Sequence, residues 1–282
     1  MNIIKKLAIV GIVLCCVGSM MLGIGVVQGG GISHLYIQKA NNGWWPFINM
    51  QPYSDDKTKV VYEESFYPQQ QLYVSVEKAS LEIKKGNTNK ISLQNIEKNN
   101  VQINTNKNKV TVKVKGTIKS NQHVVMEVKD IDVIEILSVD SSMGKSNISD
   151  MKLKSLDITS NMGNVTVSNM ISQTTNIHNE TGEIIVENGM FYHTKLTNNM
   201  GNISFNGDMY GNNEISCNMG NITLDLKRKE EAYTYDVNVD MGRVNIDGND
   251  KRKTSIHKDN GAKNDYLNID CDMGNVDVIF AS

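Results

Sequence analysis

Seven glycines restrict what this chain can fold into. Gly144, Gly163, Gly182, Gly201 and Gly220 recur every 19 residues, and Gly242 and Gly274 follow at intervals of 22 and 32. A fixed short period is the signature of a solenoid, because one repeat cannot bury its apolar face alone and must stack on its neighbours. Five residues before the glycines stand Val139, Ile158, Ile177, Leu196, Ile215, Val237 and Ile269; four residues after them stand Ile148, Val167, Val186, Phe205, Leu224, Ile246 and Val278. Residues two and four past each glycine alternate with polar ones, which is strand patterning with one face in a core. Each coil therefore has a strand before the glycine and a strand after it. The glycine takes the corner, where positive φ or close backbone approach favours a residue without Cβ.

The composition fits such a stack: 39% hydrophobic residues but 6% aromatic ones, and only 3 Pro in 282 residues. This is too apolar for a disordered chain. The net charge of −2 points to no nucleic acid, although lysines crowd residues 72–120. Before the corner stand Met143, Met162, Thr181, Met200, Met219, Met241 and Met273, expected to pack as an apolar ladder; a soft-metal or oxidant-sensing column is the competing use. Met151, Met170, Met190 and Met209 mark a second corner, where one 20-residue interval implies a bulge or looser turn. The last two coils lengthen by polar insertions, Lys227 to Glu231 and Gly248 to Asp265, which are expected to form loops on one face. Residues 72–137 alternate without the glycine and are read as degenerate opening coils that cap the stack.

At the N-terminus, Leu7 to Val27 carries no charge and is long enough to cross a bilayer as a helix. Lys5 and Lys6 precede it, so the positive-inside rule places residues 1–6 in the cytoplasm and the rest outside the cell, in a single-pass membrane protein. The alternative is a cleaved signal peptide and a secreted product. Cys15 and Cys16 are read as apolar membrane residues. Residues 28–71 form a stalk or linker whose Trp44 and Trp45 belong either to an interfacial belt or to a knot on the first coil. Residues 72–282 form the repeat domain, with regular coils over 134–282.

The signature Asn-Met-Gly-Asn-Val or Asn-Met-Gly-Asn-Ile, at Asn161 to Val165, Asn199 to Ile203 and Asn218 to Ile222 with Asp272 to Val276 as a variant, behind one N-terminal apolar segment, resembles the putative-adhesin, β-strand-repeat family of bacterial cell-envelope proteins. The resemblance spans residues 72–282. It implies an all-β, single-stranded, β-helix-like solenoid and brings no catalytic residue with it.

The residues themselves offer no nucleophile arrangement, and His34, His123, His178, His193 and His257 are scattered without metal-ligand spacing. Carboxylates do not recur as a cleft-facing pair; Asp240 and Asp272 share a column that turn capping explains. No cofactor and no metal site is expected, and the calcium-binding glycine-aspartate repeat is missing. The sequons at Asn147, Asn164, Asn202 and Asn221 are read as turn residues. Cys217 and Cys271 are read as lying two coils apart with Val239 between them, ~10 Å, beyond disulfide reach, leaving two free thiols. Adjacent coils are expected to bring Lys227, Arg228 and Lys229 beside Lys251, Arg252 and Lys253 at one corner, a candidate surface for anionic wall polymer or lipid head groups, against the plainer reading of solvated loop charge. The chain ends on the alternating strand Val276, Val278 and Phe280, which predicts an open coil end and end-to-end association. Together these features predict a membrane-anchored extracytoplasmic solenoid with a non-enzymatic binding, adhesion or envelope-organising role, its partners a cell-wall polymer or a membrane protein. A regulatory or stress-sensing envelope component is the alternative, and a carbohydrate-active β-helix enzyme the third class.

Overall fold

Strands of both glycine-flanking runs form as the columns require. The computed structural model describes residues 60–116, 121–251, 255–261 and 265–282 together with the short strands Tyr36–Gln38 and Phe47–Asn49. The segment 7–27 and the pair Trp44 and Trp45 lie outside the described residues. Among the described residues no helix is long and apolar enough to cross a membrane. The chain divides into two compact units, Met1–Lys57 and Thr58–Ser282. In the first, Tyr36–Gln38 pairs antiparallel with Phe47–Asn49. The second takes in a strand from the stretch read as linker, Val60–Ser65, because it pairs antiparallel with Lys90–Gln94 and Phe66 behind it is buried.

In the regular coils the long strand before each glycine and the shorter one after it pair in parallel with their counterparts in the next coil. Ile136–Met143, Lys152–Met162 and Ile171–Thr181 line up on one face, and Ser146–Ser149, Val165–Ser168 and Ile184–Tyr192 on another. A third, narrower face begins where Lys152 and Leu153 register with Ile171 and Ser172, and these with Met190 and Phe191. The apolar columns point inward: Ile158, Ile177, Leu196, Ile203, Ile222 and Ile269 have no solvent exposure. Full burial of each such side chain stabilises by roughly 1.5–3 kcal/mol.

The glycine corner stacks backbone directly on backbone. A Cβ on Gly201 would lie 1.9 Å from the carbonyl oxygen of Gly182, and one on Gly274 1.8 Å from that of Gly220. The φ angles at Gly201 and Gly274, +128° and +153°, lie in the region only glycine enters freely. Asparagine side chains then run along the corner as a ladder: Asn202 Oδ1 accepts from the backbone of Asn221, and Asn221 Oδ1 from the backbone of Asn275. The sequon asparagines Asn202 and Asn221 are thus turn residues. Between the second and third faces, Asp150, Asn169 and Asn188 take left-handed φ, with Asn169 Nδ2 donating to Asp150 and Asn188 Nδ2 to Asn169. Short polar side chains tolerate that conformation.

The coils do not stack in chain order. Strand Tyr266–Met273 lies between Asn212–Met219 and Thr234–Met241, and strand Val276–Ile279 lies between Ile222–Leu226 and Val244–Ile246. The last coil in sequence is therefore inserted beneath the one that precedes it. The N-terminal end repeats the device. Gln71–Lys78 sits between Lys109–Val114 and Ile136–Met143, and Ser80–Lys85 between His123–Val128 and Ser146–Ser149. Both ends are closed by antiparallel strands, Val101–Asn106 with Lys90–Gln94 and Val60–Ser65 at one, Asn249–Lys251 and Ser255–Lys258 at the other. Antiparallel covers blunt the open edges that a parallel stack would expose. Three expectations change with this order. The C-terminal strand is an interior strand, not an open end. The polar insertions are the connections that leave and re-enter the stack. The opening segment holds coils and a cap, not a run of coils alone.

The methionines divide differently from their spacing as well. The ladder beside the glycines faces solvent instead of packing inward: Met143, Met200, Met219, Met241 and Met273 are between 38% and 59% exposed. At the second corner only Met151 and Met170 share a column. Met190 registers with outward-facing Ile171, and Met209 with Phe191, because the chain bulges between Val186 and Gly189 relative to the next coil. The expected bulge is present. Gly189 and Gly207 stand where larger side chains would collide, and Phe191 packs edge-on against Phe205 to fill the space.

Candidate ligand-binding groove

The shift at Gly189 has a consequence on the surface. Met190 is turned outward, and Tyr192 follows it into register with Tyr210. A groove of about 660 Å³ runs across three successive coils at this place. Its floor is apolar, from Leu153, Ile171 and Met190; its polar edge comes from Lys152, Gln173, Thr174 and His193; and Tyr192 forms a wall. The volume lies in the range of small-ligand sites, which combine apolar lining with a few polar groups.

The wall is rigid. Tyr192 stacks on Tyr210 with ring centroids 4.7 Å apart and planes 17° from parallel. The guanidinium of Arg228 covers Tyr210 at 4.4 Å and reaches Tyr233 at 5.2 Å. Arg228 is itself held by Asp265, 2.8 Å away, and by the carbonyl of Met209. His193 takes left-handed φ, and its ring lies over Gly211, where any Cβ would meet it at 2.6 Å. The described residues lining the groove carry no carboxylate. The arrangement can grip a flat, apolar-faced molecule bearing hydroxyl groups. It does not offer the paired acids of glycoside hydrolysis.

Four of the six basic residues singled out from sequence lie among the described residues. Lys227, Arg228 and Lys229 follow the strand Ile222–Leu226, while Lys251 ends a strand beyond Val244–Ile246, with Val276–Ile279 in between. Lys227 pairs with Asp225, and Arg228 ties the outgoing connection to Asp265 on the returning one. Arg252 and Lys253 lie outside the described residues. In the sequence His193 is one of the scattered histidines and Tyr192 carries no motif; the 20-residue interval ending at Met190 is the one sequence signal that marks this place.

Cys217 and Cys271, both free and buried, are direct register partners rather than two coils apart. Each donates to the corner carbonyl of the coil beneath, Cys217 to Gly201 and Cys271 to Gly220, as Asn198 does to Gly182. The neighbouring Cys271 thiol, and then burial, push the Cys217 thiol far above the usual range. The Cys217 thiol is therefore held in its protonated, unreactive form. Among the described histidines, His178 and His257 bind Glu180 and Asp236 respectively. The nearby Ser255 hydroxyl donates to Asn238. No group of three or more His, Cys, Asp or Glu side chains among the described residues could hold a metal ion.

The Toastrack DUF4097 family model matches residues 126–279, more than half of the chain. The chain belongs to this family. In this Toastrack chain the match begins within the outer N-terminal coil and ends on the inserted C-terminal strand. No curated protein matches it. Solved structures similar to it include a putative adhesin from Bacteroides fragilis NCTC 9343, 12% identical, with 79% of this chain and 98% of that chain covered and a TM-score of 0.47. A putative cell adhesion protein from Clostridium sporogenes ATCC 15579 is 10% identical over 78% of this chain and 98% of its own, with a TM-score of 0.35. A putative adhesin from Parabacteroides distasonis ATCC 8503 is 12% identical over 79% and 98%, with a TM-score of 0.36.

Proposed function

We propose that the Toastrack unit is a non-enzymatic glycan-binding module of the cell envelope, anchored by the apolar segment Leu7 to Val27 and lying outside the membrane. The observation that supports binding is the Tyr192 wall braced by Tyr210 and Arg228 above an apolar floor. A pyranose ring has an apolar C–H face that stacks on an aromatic ring, and hydroxyl groups at its edge that Gln173, Thr174 and Lys152 can meet. A braced wall keeps the ordering cost of binding low. With Lys152 and His193 at the edge and no carboxylate in the lining, neutral or anionic glycans such as cell-wall polymers are the matching class.

Full-length chain should bind purified cell-wall polysaccharide in pulldown and calorimetry. Tyr192→Ala should weaken binding at least tenfold, while Tyr192→Phe keeps the stack and most of the affinity. Unchanged binding by Tyr192→Ala would remove the groove from the reading, and release of shortened saccharide would favour the enzyme class. The anchoring half is tested separately, by protease accessibility of the Thr58–Ser282 unit in intact cells and by the N-terminal sequence of the mature protein.

A further inference from the structure

The inserted C-terminal coil brings together four thioethers that the chain keeps apart. Met200 registers with Met219, Met219 with Met273, and Met273 with Met241, on four adjacent parallel strands. All four are exposed, between 43% and 59%. A hydrophobic core does not explain the run, since none of these side chains packs into one. Thioether sulfur is a soft ligand that selects Cu(I) among biological metals. Adjacent strands lie ~4.8 Å apart. Two metal–sulfur bonds of ~2.3 Å span about 4.6 Å, so a soft cation fits between sulfurs one coil apart. Methionine's three rotatable bonds allow the remaining adjustment.

Carboxylates neighbour the same end of the ladder, with Arg243 two residues past Met241 as a nearby cation. Asp272 and Asp240 immediately precede Met273 and Met241, and Glu180 accepts a hydrogen bond from Asn199, which precedes Met200. At the opposite end Met143 registers with Lys78, and Thr181 interrupts the column between Met162 and Met200. We propose that the exposed thioether ladder Met200, Met219, Met273 and Met241 is a binding site for a soft monovalent cation of the Cu(I) class.

The test uses full-length chain in which Cys15, Cys16, Cys217 and Cys271 are replaced by Ser, so that no thiol competes; Ser141 and Ser160 already occupy the Cys217 column. Cu(I) is titrated against a chromogenic chelator, with Ag(I) as a redox-inert second probe. The thiol-free chain should bind both ions. Replacing Met200, Met219, Met241 and Met273 by Leu keeps the apolar volume and should weaken binding at least tenfold, with an unchanged circular dichroism melt. Failure of the thiol-free chain to bind, or a smaller loss in the Leu variant, overturns the site.

Discussion

A glycine at the corner of each coil answers a geometric demand that no other side chain meets. Backbone carbonyl presses on backbone from one coil to the next, and φ is positive at the same point in every corner but that of Gly242. Gly201→Ala adds a Cβ 1.9 Å from Gly182 oxygen and should cost at least about 2 kcal/mol, read as a lower urea midpoint at unchanged slope. His123 gives a second prediction at this scale. Burial outweighs nearby Glu82 and holds the imidazole below its ordinary value, so the native state keeps it neutral. The unfolded chain protonates it near pH ~6.5 and the native chain only lower. Stability should therefore fall as pH drops below about 6.5, and His123→Gln should flatten the melting temperature between pH 7 and 5. An equal slope in the variant would mean that other groups carry the loss. Residue-level features of this kind were legible where they repeat, as in the glycine and asparagine columns. Tyr192 and His193 occur once and leave no period to read.

Among the elements, the irregular connections are as constrained as the strands. The segment after Ile222–Leu226 carries Arg228 over two tyrosine rings and onto Asp265, which belongs to the returning connection. One guanidinium thereby joins the two crossings that let the last coil enter the stack. Asp265 is only 15% exposed at its side chain, so removing Arg228 leaves a largely buried carboxylate without its counter-ion, held among the described residues only by the Gly211 backbone N–H. Arg228→Ala should cost about 2 kcal/mol, and Arg228→Lys should restore little, since an ammonium cannot cover a ring and fork to a carboxylate together. Thermal unfolding of the pair of variants separates this from simple charge loss, which Lys would repair. Sequence patterning marked these insertions as polar and basic, which is also what a solvated loop looks like. The pairing with Asp265 spans connections that are distant in the chain.

For the whole molecule, inserted end coils change how the stack holds together. In a solenoid stacked in chain order, removing the last repeat costs one interface. Here Tyr266–Met273 and Val276–Ile279 lie between other strands, and Phe280 packs against Tyr233 and Tyr235. Truncation after residue 265 should therefore unfold the Gly242 coil and expose the Gly220 coil, seen as rapid proteolysis from residue 227 onward. Survival of an intact, protease-resistant core up to residue 250 would contradict the inserted order. Sequence alone determined the solenoid class, the inward columns and the glycine corner, because each follows from local periodicity and the sterics of one residue type. Only the tertiary structure decided which coils touch, that the corner methionines face water, and that Cys217 meets Cys271. Parallel strands of similar pattern can pair in any order, and the choice falls to the connections and caps, whose contacts carry no period.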